Sequence, residues 1–297
     1  MIDNINDFSL WGGNNSYDIA SETLTINRPY GLYSNIIMSL FGVCMLKQTS
    51  YRVSNIRLCL NEYEHNYDFY NDFFQTQQNS FEISEEEANL VVNNLHPTNY
   101  GLSDLSHRFN KQKLTELLPI LIKLYNKFFT INNDIKYEIE NILNTYNINY
   151  SMSAFIWARK TDKVTESRIP NTIDYIKQLD NTNIKKIYFQ TDDVSILEEI
   201  AIIKTIDDRI IVLNELPTSN DTNKGFHSHL YNVSNADFMN RHNMSKIDYL
   251  KKFLAITHIA SQCNYFVSYP GNMLTIVPLM RQSFNNCILF IDNQNIA

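Results

Sequence analysis

Glycine and proline are scarce in this sequence, seven of each in 297 residues. That composition excludes collagen-like repeats and low-complexity linkers. No GxGxxG run exists, and no glycine-rich turn carries the lysine of a P-loop, so neither common nucleotide fingerprint is available. Dense basic runs are also missing. The 25 Lys and Arg residues face 32 Asp and Glu, for a net charge of −7, and the basic patch of a nucleic-acid binder is absent from the sequence. Cys44, Cys59, Cys263 and Cys287 form no CxxC pair and no metal-type spacing. Cys44, Cys59 and Cys287 sit in apolar stretches and read as buried thiols, with no structural zinc, in a chain suited to a reducing compartment. The longest apolar run, 36–46, falls short of the roughly 20 residues a bilayer span needs. Residues 1–11 are acidic and polar, without a signal-peptide core. The expectation is a soluble, cytoplasmic chain with no membrane span.

What is present is a globular composition, 44% hydrophobic and 19% charged, with length enough for two domains. Asparagine is very frequent, which reads as compositional bias. The first half is mixed. A turn-like Tyr30-Gly31-Leu32-Tyr33-Ser34-Asn35 precedes a helical pattern over 36–47, and a short strand is expected over 56–60. The aromatic stretch 67–74 reads as a packed helix face, and Glu85-Glu86-Glu87 as the acidic opening of a helix, where carboxylates meet the positive end of the helix dipole. Residues 114–129 form an amphipathic pattern with Leu117, Leu121, Leu124 and Phe128 on one stripe and Pro119 in the early turns, a possible kink. A helix over 135–146 follows, and the lobe boundary is placed at 132/133.

The second half is more regular. Strands are expected at 154–158, 186–190, 209–213, 264–268 and 287–291, and helices at 172–179, 194–204, 246–261 and 272–281. Short apolar strands alternating with helices imply βαβ units around a parallel sheet. Ligands bind such sheets beyond the carboxyl ends of the strands, and three of those ends are chemically distinctive. The first runs straight into Arg159-Lys160-Thr161-Asp162-Lys163. Fixed cations there would stabilise a departing diphosphate, and an arginine fork suits phosphate oxygens best. The alternative is an ordinary solvated turn. The second ends in Thr191-Asp192-Asp193, where an aspartate could instead cap the next helix. The carboxylates are too few for a Ca²⁺ or Mg²⁺ site. The fourth ends in Ser268-Tyr269-Pro270-Gly271-Asn272 ahead of a helix, a turn whose backbone N–H groups could face an anion.

Together these segments resemble the α1,6-fucosyltransferases, and more loosely the protein O-fucosyltransferases. The resemblance begins near Leu117 and passes through Ile156-Trp157-Ala158-Arg159-Lys160-Thr161-Asp162-Lys163-Val164 and Ile187-Tyr188-Phe189-Gln190-Thr191-Asp192-Asp193. It closes with Ile259-Ala260-Ser261-Gln262-Cys263-Asn264-Tyr265-Phe266-Val267-Ser268. The turn holding Gly31, Tyr33 and Asn35 is similar to a glycine-containing turn near the start of these enzymes. The resemblance implies an α/β, GT-B-like fold of two Rossmann-like lobes with parallel sheets and an interlobe cleft: residues 1–132 on the acceptor side and 133–297 binding the nucleotide sugar. It also implies metal-independent, inverting transfer from a GDP-sugar to a hydroxyl of a glycan or protein acceptor, with no cofactor beyond the donor.

By position, Arg159 would hold the diphosphate, helped by Lys160, Thr161 and Ser268 with the following Gly271 and Asn272. Asp192 and Asp193 would shape the nucleotide side. Four positions depart from the family. Its His-x-Arg-Arg is Trp157-Ala158-Arg159-Lys160 here, its catalytic glutamate falls at Ser167 with Glu166 one residue earlier, and an aspartate that contacts guanine aligns with Ile256. Glu166 is the first candidate for general base and Asp162 the second. Tyr30, Tyr33 and Trp157 either stack on the base or sugar or belong to the core. His227, His229 and His242 either form a metal or acid–base cluster or flank a solvated acceptor-side loop. Two other readings are a nucleotide-sugar-binding protein without catalysis and a transferase using a UDP-sugar.

Overall fold

The computed structural model describes residues 15–27, 31–60, 67–77, 82–95, 111–158, 170–220, 233–268, 273–291 and 294–296. The chain divides into two compact units, Met1–Asp134 and Ile135–Ala297.

The first unit opens with a hairpin. β1 (Ser16–Asp18) and β2 (Thr23–Asn27) pair antiparallel. Asp18 fixes the turn by accepting from the Ala20 amide at 3.0 Å and the Ser21 hydroxyl at 2.6 Å. β2 then pairs parallel with β3 (Asn55–Cys59), and α1 (Leu32–Gln48) is the crossover between them. Helix α1 is buried on nearly every side, which is why its sequence is apolar without an amphipathic stripe. It ends where Ser50 takes φ 64° and the Tyr51 amide donates back to the Leu46 carbonyl. This six-to-one bond closes many helices.

The aromatic stretch 67–74 is core as expected, but only one turn of it is helical, α2 (Tyr70–Phe73), before β4 (Phe74–Gln75). Asp68 sets where that turn begins. Its carboxylate accepts from the amides of Leu58 at 3.1 Å and Tyr70 at 3.0 Å, a local bond that competes with a longer helix. α3 (Glu85–Leu95) starts with a capping box: the Glu87 amide donates to Ser84 Oγ and the Ser84 amide to Glu87 Oε2. The acidic opening is thus a specific cap as well as a dipole effect. α4 (Lys111–Phe128) continues through Pro119, and Leu117, Leu121, Leu124 and Phe128 are all buried. β5 (Thr130–Ile131) pairs with β4.

The second unit begins within α5 (Asn133–Tyr146). Its sheet contains β6 (Ser153–Ala158), β7 (Lys186–Thr191), β8 (Ile210–Val212), β9 (Tyr265–Ser268), β10 (Cys287–Ile291) and β11 (Gln294–Ile296). The order is β11-β10-β9-β6-β7-β8, parallel throughout except at the β10–β11 edge. The five strands expected from the sequence are present, and β11 adds an antiparallel sixth. The helices are α6 (Thr172–Lys177), α7 (Val194–Ile203), α8 (Asn235–His242), α9 (Lys246–Gln262) and α10 (Met273–Arg281).

On one face of the sheet, Ala154, Ile156, Ile187, Phe189 and Val267 pack with Tyr175, Ile176, Ile196 and Ile200 of α6 and α7. On the other, the Trp157 ring meets Phe253 of α9 edge-on at 5.3 Å. Coverage on both faces explains why β6 is buried at every residue and reads as an unbroken apolar run. All four cysteines are buried and free, and burial pushes the thiols of Cys44 and Cys263 up to about 12. They act as small hydrophobes, inert at neutral pH. No helix among the described residues is long and apolar enough to cross a membrane.

One ionic cluster ties α5 to α9. Lys252 Nζ bonds Glu215 and lies 3.6 Å from Glu138, while the Tyr146 hydroxyl donates to Glu215 at 3.2 Å. Burial pulls the Lys252 pKa down, but the bond and charge of Glu215, then Glu138, outweigh it and leave it raised. Lys252→Met strands two half-buried carboxylates and should cost about 1–3 kcal/mol of unfolding free energy near neutral pH. The raised pKa places this stabilisation in full below the ordinary lysine range, and it is lost as pH rises through the folded-state value. Urea unfolding at neutral and strongly alkaline pH checks this: the gap between wild type and variant closes at the alkaline end. A pH-independent gap contradicts an ionic role.

Candidate functional site

The strand order places a topological switch at β6. From β6 the chain proceeds outward to β7 and β8, then returns past β6 to build β9 and β10 on the opposite side. Crossovers therefore leave β6 and β9 in opposite senses, the topology that in open parallel sheets marks the ligand side at the strand carboxyl ends. Three residues stand in register across this rim: Ser268 of β9, Trp157 of β6 and Gln190 of β7. The period-two alternation of strands puts all three side chains on the α9 face.

Each is tied differently. Ser268 is buried, and its Oγ donates to the Trp157 carbonyl at 3.0 Å, joining the two strands at the point where they part. Trp157 is 6% exposed and packed on Phe253, so its ring is core and presents no stacking face. Gln190 is 2% exposed. Its Nε2 donates to the Thr191 carbonyl at 3.0 Å, while its Oε1 has no hydrogen-bond partner among the described residues.

Beyond β7, Thr191-Asp192-Asp193 turns into α7. The Thr191 hydroxyl accepts from the Asp193 amide at 3.1 Å. Asp193 caps the helix, its Oδ1 accepting from the Ser195 amide at 2.7 Å and the Ser195 hydroxyl at 2.6 Å. The capping role weighed from sequence is therefore real, yet it uses only one oxygen. Asp193 is 2% exposed, and its Oδ2 is buried with no hydrogen-bond partner among the described residues. Asp192 is half-buried, and its carbonyl accepts from the Ser219 amide at 2.9 Å. Ser219 also forms a parallel bridge with Asp193, stitching the loop after β8 onto the end of β7.

Unused acceptors on Gln190 and Asp193 are unusual, because a buried polar atom without a partner costs about 1–3 kcal/mol. Both lie at or just beyond the carboxyl end of β7, one strand from the switch. They are suited to accept hydrogen bonds from ligand hydroxyl or N–H groups. Gln190 was visible in the sequence only as a polar residue closing an apolar strand. Ser219 carried no local signal, since its pairing spans a crossover.

The remaining expected site residues divide in two. Arg159, Lys160, Thr161, Asp162, Glu166, Gly271 and Asn272 lie outside the described residues, as do Tyr30, His227 and His229. Gly31, Tyr33 and Asn35 sit at the start of α1 in the first unit. Gly31 is its N-cap with φ −58° and ψ 161°, backbone angles open to any residue. Asn35 donates to the Gly31 carbonyl through its amide at 3.2 Å and its Nδ2 at 3.3 Å. Tyr33 and Asn35 are buried at 4% and 0% exposure. His242 is half-buried with its ring 4.7 Å from Phe238. Among the described residues, no three His, Cys, Asp or Glu side chains converge as metal ligands.

Removing the cap with Asp193→Ala should destabilise the chain by about 1 kcal/mol, whereas Asp193→Asn, an equally good cap, should stay within about 0.5 kcal/mol of wild type. Denaturant midpoints of the two variants check this. Equal losses would show that the charge, and not the cap, holds the turn.

No family model matches the chain, and no curated protein matches it. Among solved structures, it is similar to NodZ α-1,6-fucosyltransferase soaked with GDP-fucose, at 10% identity over 91% of this chain and 96% of that one, with a TM-score of 0.48. It is similar to the fucosyltransferase NodZ from Bradyrhizobium at 11% identity over 92% and 96%, with a TM-score of 0.48. It is also similar to a mutant of Arabidopsis thaliana FUT1 in complex with GDP, at 11% identity over 88% and 68%, with a TM-score of 0.45.

Proposed function

We propose that the chain is a glycosyltransferase that takes a sugar, fucose or a relative, from a GDP-sugar and transfers it to an acceptor hydroxyl with inversion and without a metal. One observation carries this reading. The last residue of β6, at the topological switch, is followed in sequence directly by Arg159-Lys160-Thr161-Asp162-Lys163. The neighbouring strand end holds two buried acceptors without partners, on Gln190 and Asp193. A cationic run that follows β6 in sequence, with acceptors at the end of the neighbouring strand, suits a nucleoside diphosphate: charge for the phosphates, acceptors for the hydroxyl and N–H edges.

The chemistry assigned to the residues is a single displacement. The acceptor oxygen bonds to the anomeric carbon as the bond from that carbon to the diphosphate oxygen breaks. The hydroxyl proton passes to the Glu166 carboxylate, with Asp162 as the second candidate. Arg159, aided by Lys160, stabilises charge on the departing diphosphate, the role a metal has in other transferases. A second reading, a different base such as uracil, draws on Ile256. It is 0% exposed within α9, where the resembling enzymes place an aspartate against guanine.

The test is release of GDP from GDP-fucose, followed with and without candidate acceptors. Glu166→Gln should lower turnover by about 10²–10⁴-fold while leaving donor affinity unchanged. Arg159→Ala should weaken both. Unchanged turnover in Glu166→Gln removes that residue from the reaction, and no release by wild type under any acceptor removes the transferase reading.

A further inference from the structure

The first unit holds a cavity of its own, about 90 Å³, between the end of α1, the segment before α3 and the last turn of α4. That is well above the roughly 10–15 Å³ one water requires. Lys47, Arg52 and Lys127 line it, with Glu82 as the single lining carboxylate. The turn after α1 makes this possible: the Ser50 backbone at φ 64° and the Tyr51-to-Leu46 bond reverse the chain. Lys47 and Arg52 thereby come to line the same cavity.

The charges are poorly matched. Glu82 lies 3.9 Å from Lys47 and 3.8 Å from Arg52, too long for hydrogen-bonded ion pairs. Arg52 is also 3.7 Å from Glu22. Lys127 has no ion-pair partner among the described residues, and its Nζ lies over the Phe128 ring, 5.3 Å from its centre. Burial lowers its pKa, with Arg52 and Lys47 adding to the effect and Glu82 and Glu22 opposing it. Lys47 and Lys127 each stand in the last turn of a helix, where a cation offsets the carbonyl dipole. Arg52 belongs to no helix and brings a third positive charge that neither dipole accounts for. A recess lined by an excess of one charge attracts ions of the other.

We propose that this cavity binds a phosphate group, held by Lys47, Arg52 and Lys127, at a site separate from the strand ends of the second unit. Three cations around one small cavity match the several oxygens of a tetrahedral anion, and the arginine fork can take two of them. The phosphate is either free or the head of a phosphomonoester.

Calorimetric titration of the full chain with inorganic phosphate and with glucose 6-phosphate tests this. Both titrations use the Arg159→Ala background, so that the proposed donor site contributes nothing. Saturable binding is expected, weakened roughly tenfold or more in Lys127→Met and in Arg52→Gln and strengthened in Glu82→Gln, which removes the competing carboxylate. Tighter binding of the sugar phosphate assigns the site to phosphomonoesters, and equal binding assigns it to free phosphate. No saturable binding of either probe, or binding unaltered in both cation variants, overturns the proposal. Arg52 is exposed enough, at 66%, that Arg52→Gln should fold if Lys127→Met does not. The outcome is independent of donor binding in the second unit.

Discussion

The second unit depends on the position of β6. This strand is buried at every residue, pairs in parallel with β7 on one side and β9 on the other, and is covered on both faces. Parallel strands cannot be joined by tight turns, so every connection must cross a face, and the connections that leave β6 and β9 run in opposite senses along the sheet. The switch at its carboxyl end follows from that order. The bond from Ser268 to the Trp157 carbonyl keeps the two strands in register up to the point of divergence.

Much of this architecture was legible because the second half obeys local rules. Apolar runs such as 154–158 and 186–190 are strands because two-sided burial leaves no alternation, and Asp193 reads as a cap from its place before Val194. The first half was less legible, since its determinants are specific bonds. Asp68 holds the amides of Leu58 and Tyr70 and delays the start of the helix, which the pairing of Phe74 with Ile131 then ends. The hairpin turn at Asp18 depends on side-chain bonds two and three residues on. At the site, strand ends were readable, but Ser219 against Asp193 is a long-range pairing that no local pattern encodes. The leftover oxygens of Gln190 and Asp193 become visible only when every neighbour's hydrogen bonds have been assigned.

The two units show two ways of leaving an electrostatic account open. At the rim of the parallel sheet, neutral and acidic acceptors are buried without donors, and the cationic residues follow next in sequence. In the first unit, cations gather around too few carboxylates. Either arrangement costs stability in isolation, whereas in the Lys252 cluster both carboxylates reach the one ammonium group. Unmatched polar groups of this kind are the observations on which both proposed ligand sites rest.

The central claim is that the carboxyl end of β6 handles a guanosine diphosphate. Calorimetric titration of free GDP and free UDP into the full chain, first with chelator and then with Mg²⁺, tests it most directly. The account predicts that GDP binds without metal, that UDP binds at least roughly tenfold more weakly, and that Arg159→Ala abolishes the GDP signal. Binding of neither nucleotide, or GDP binding that survives the loss of Arg159, would contradict it.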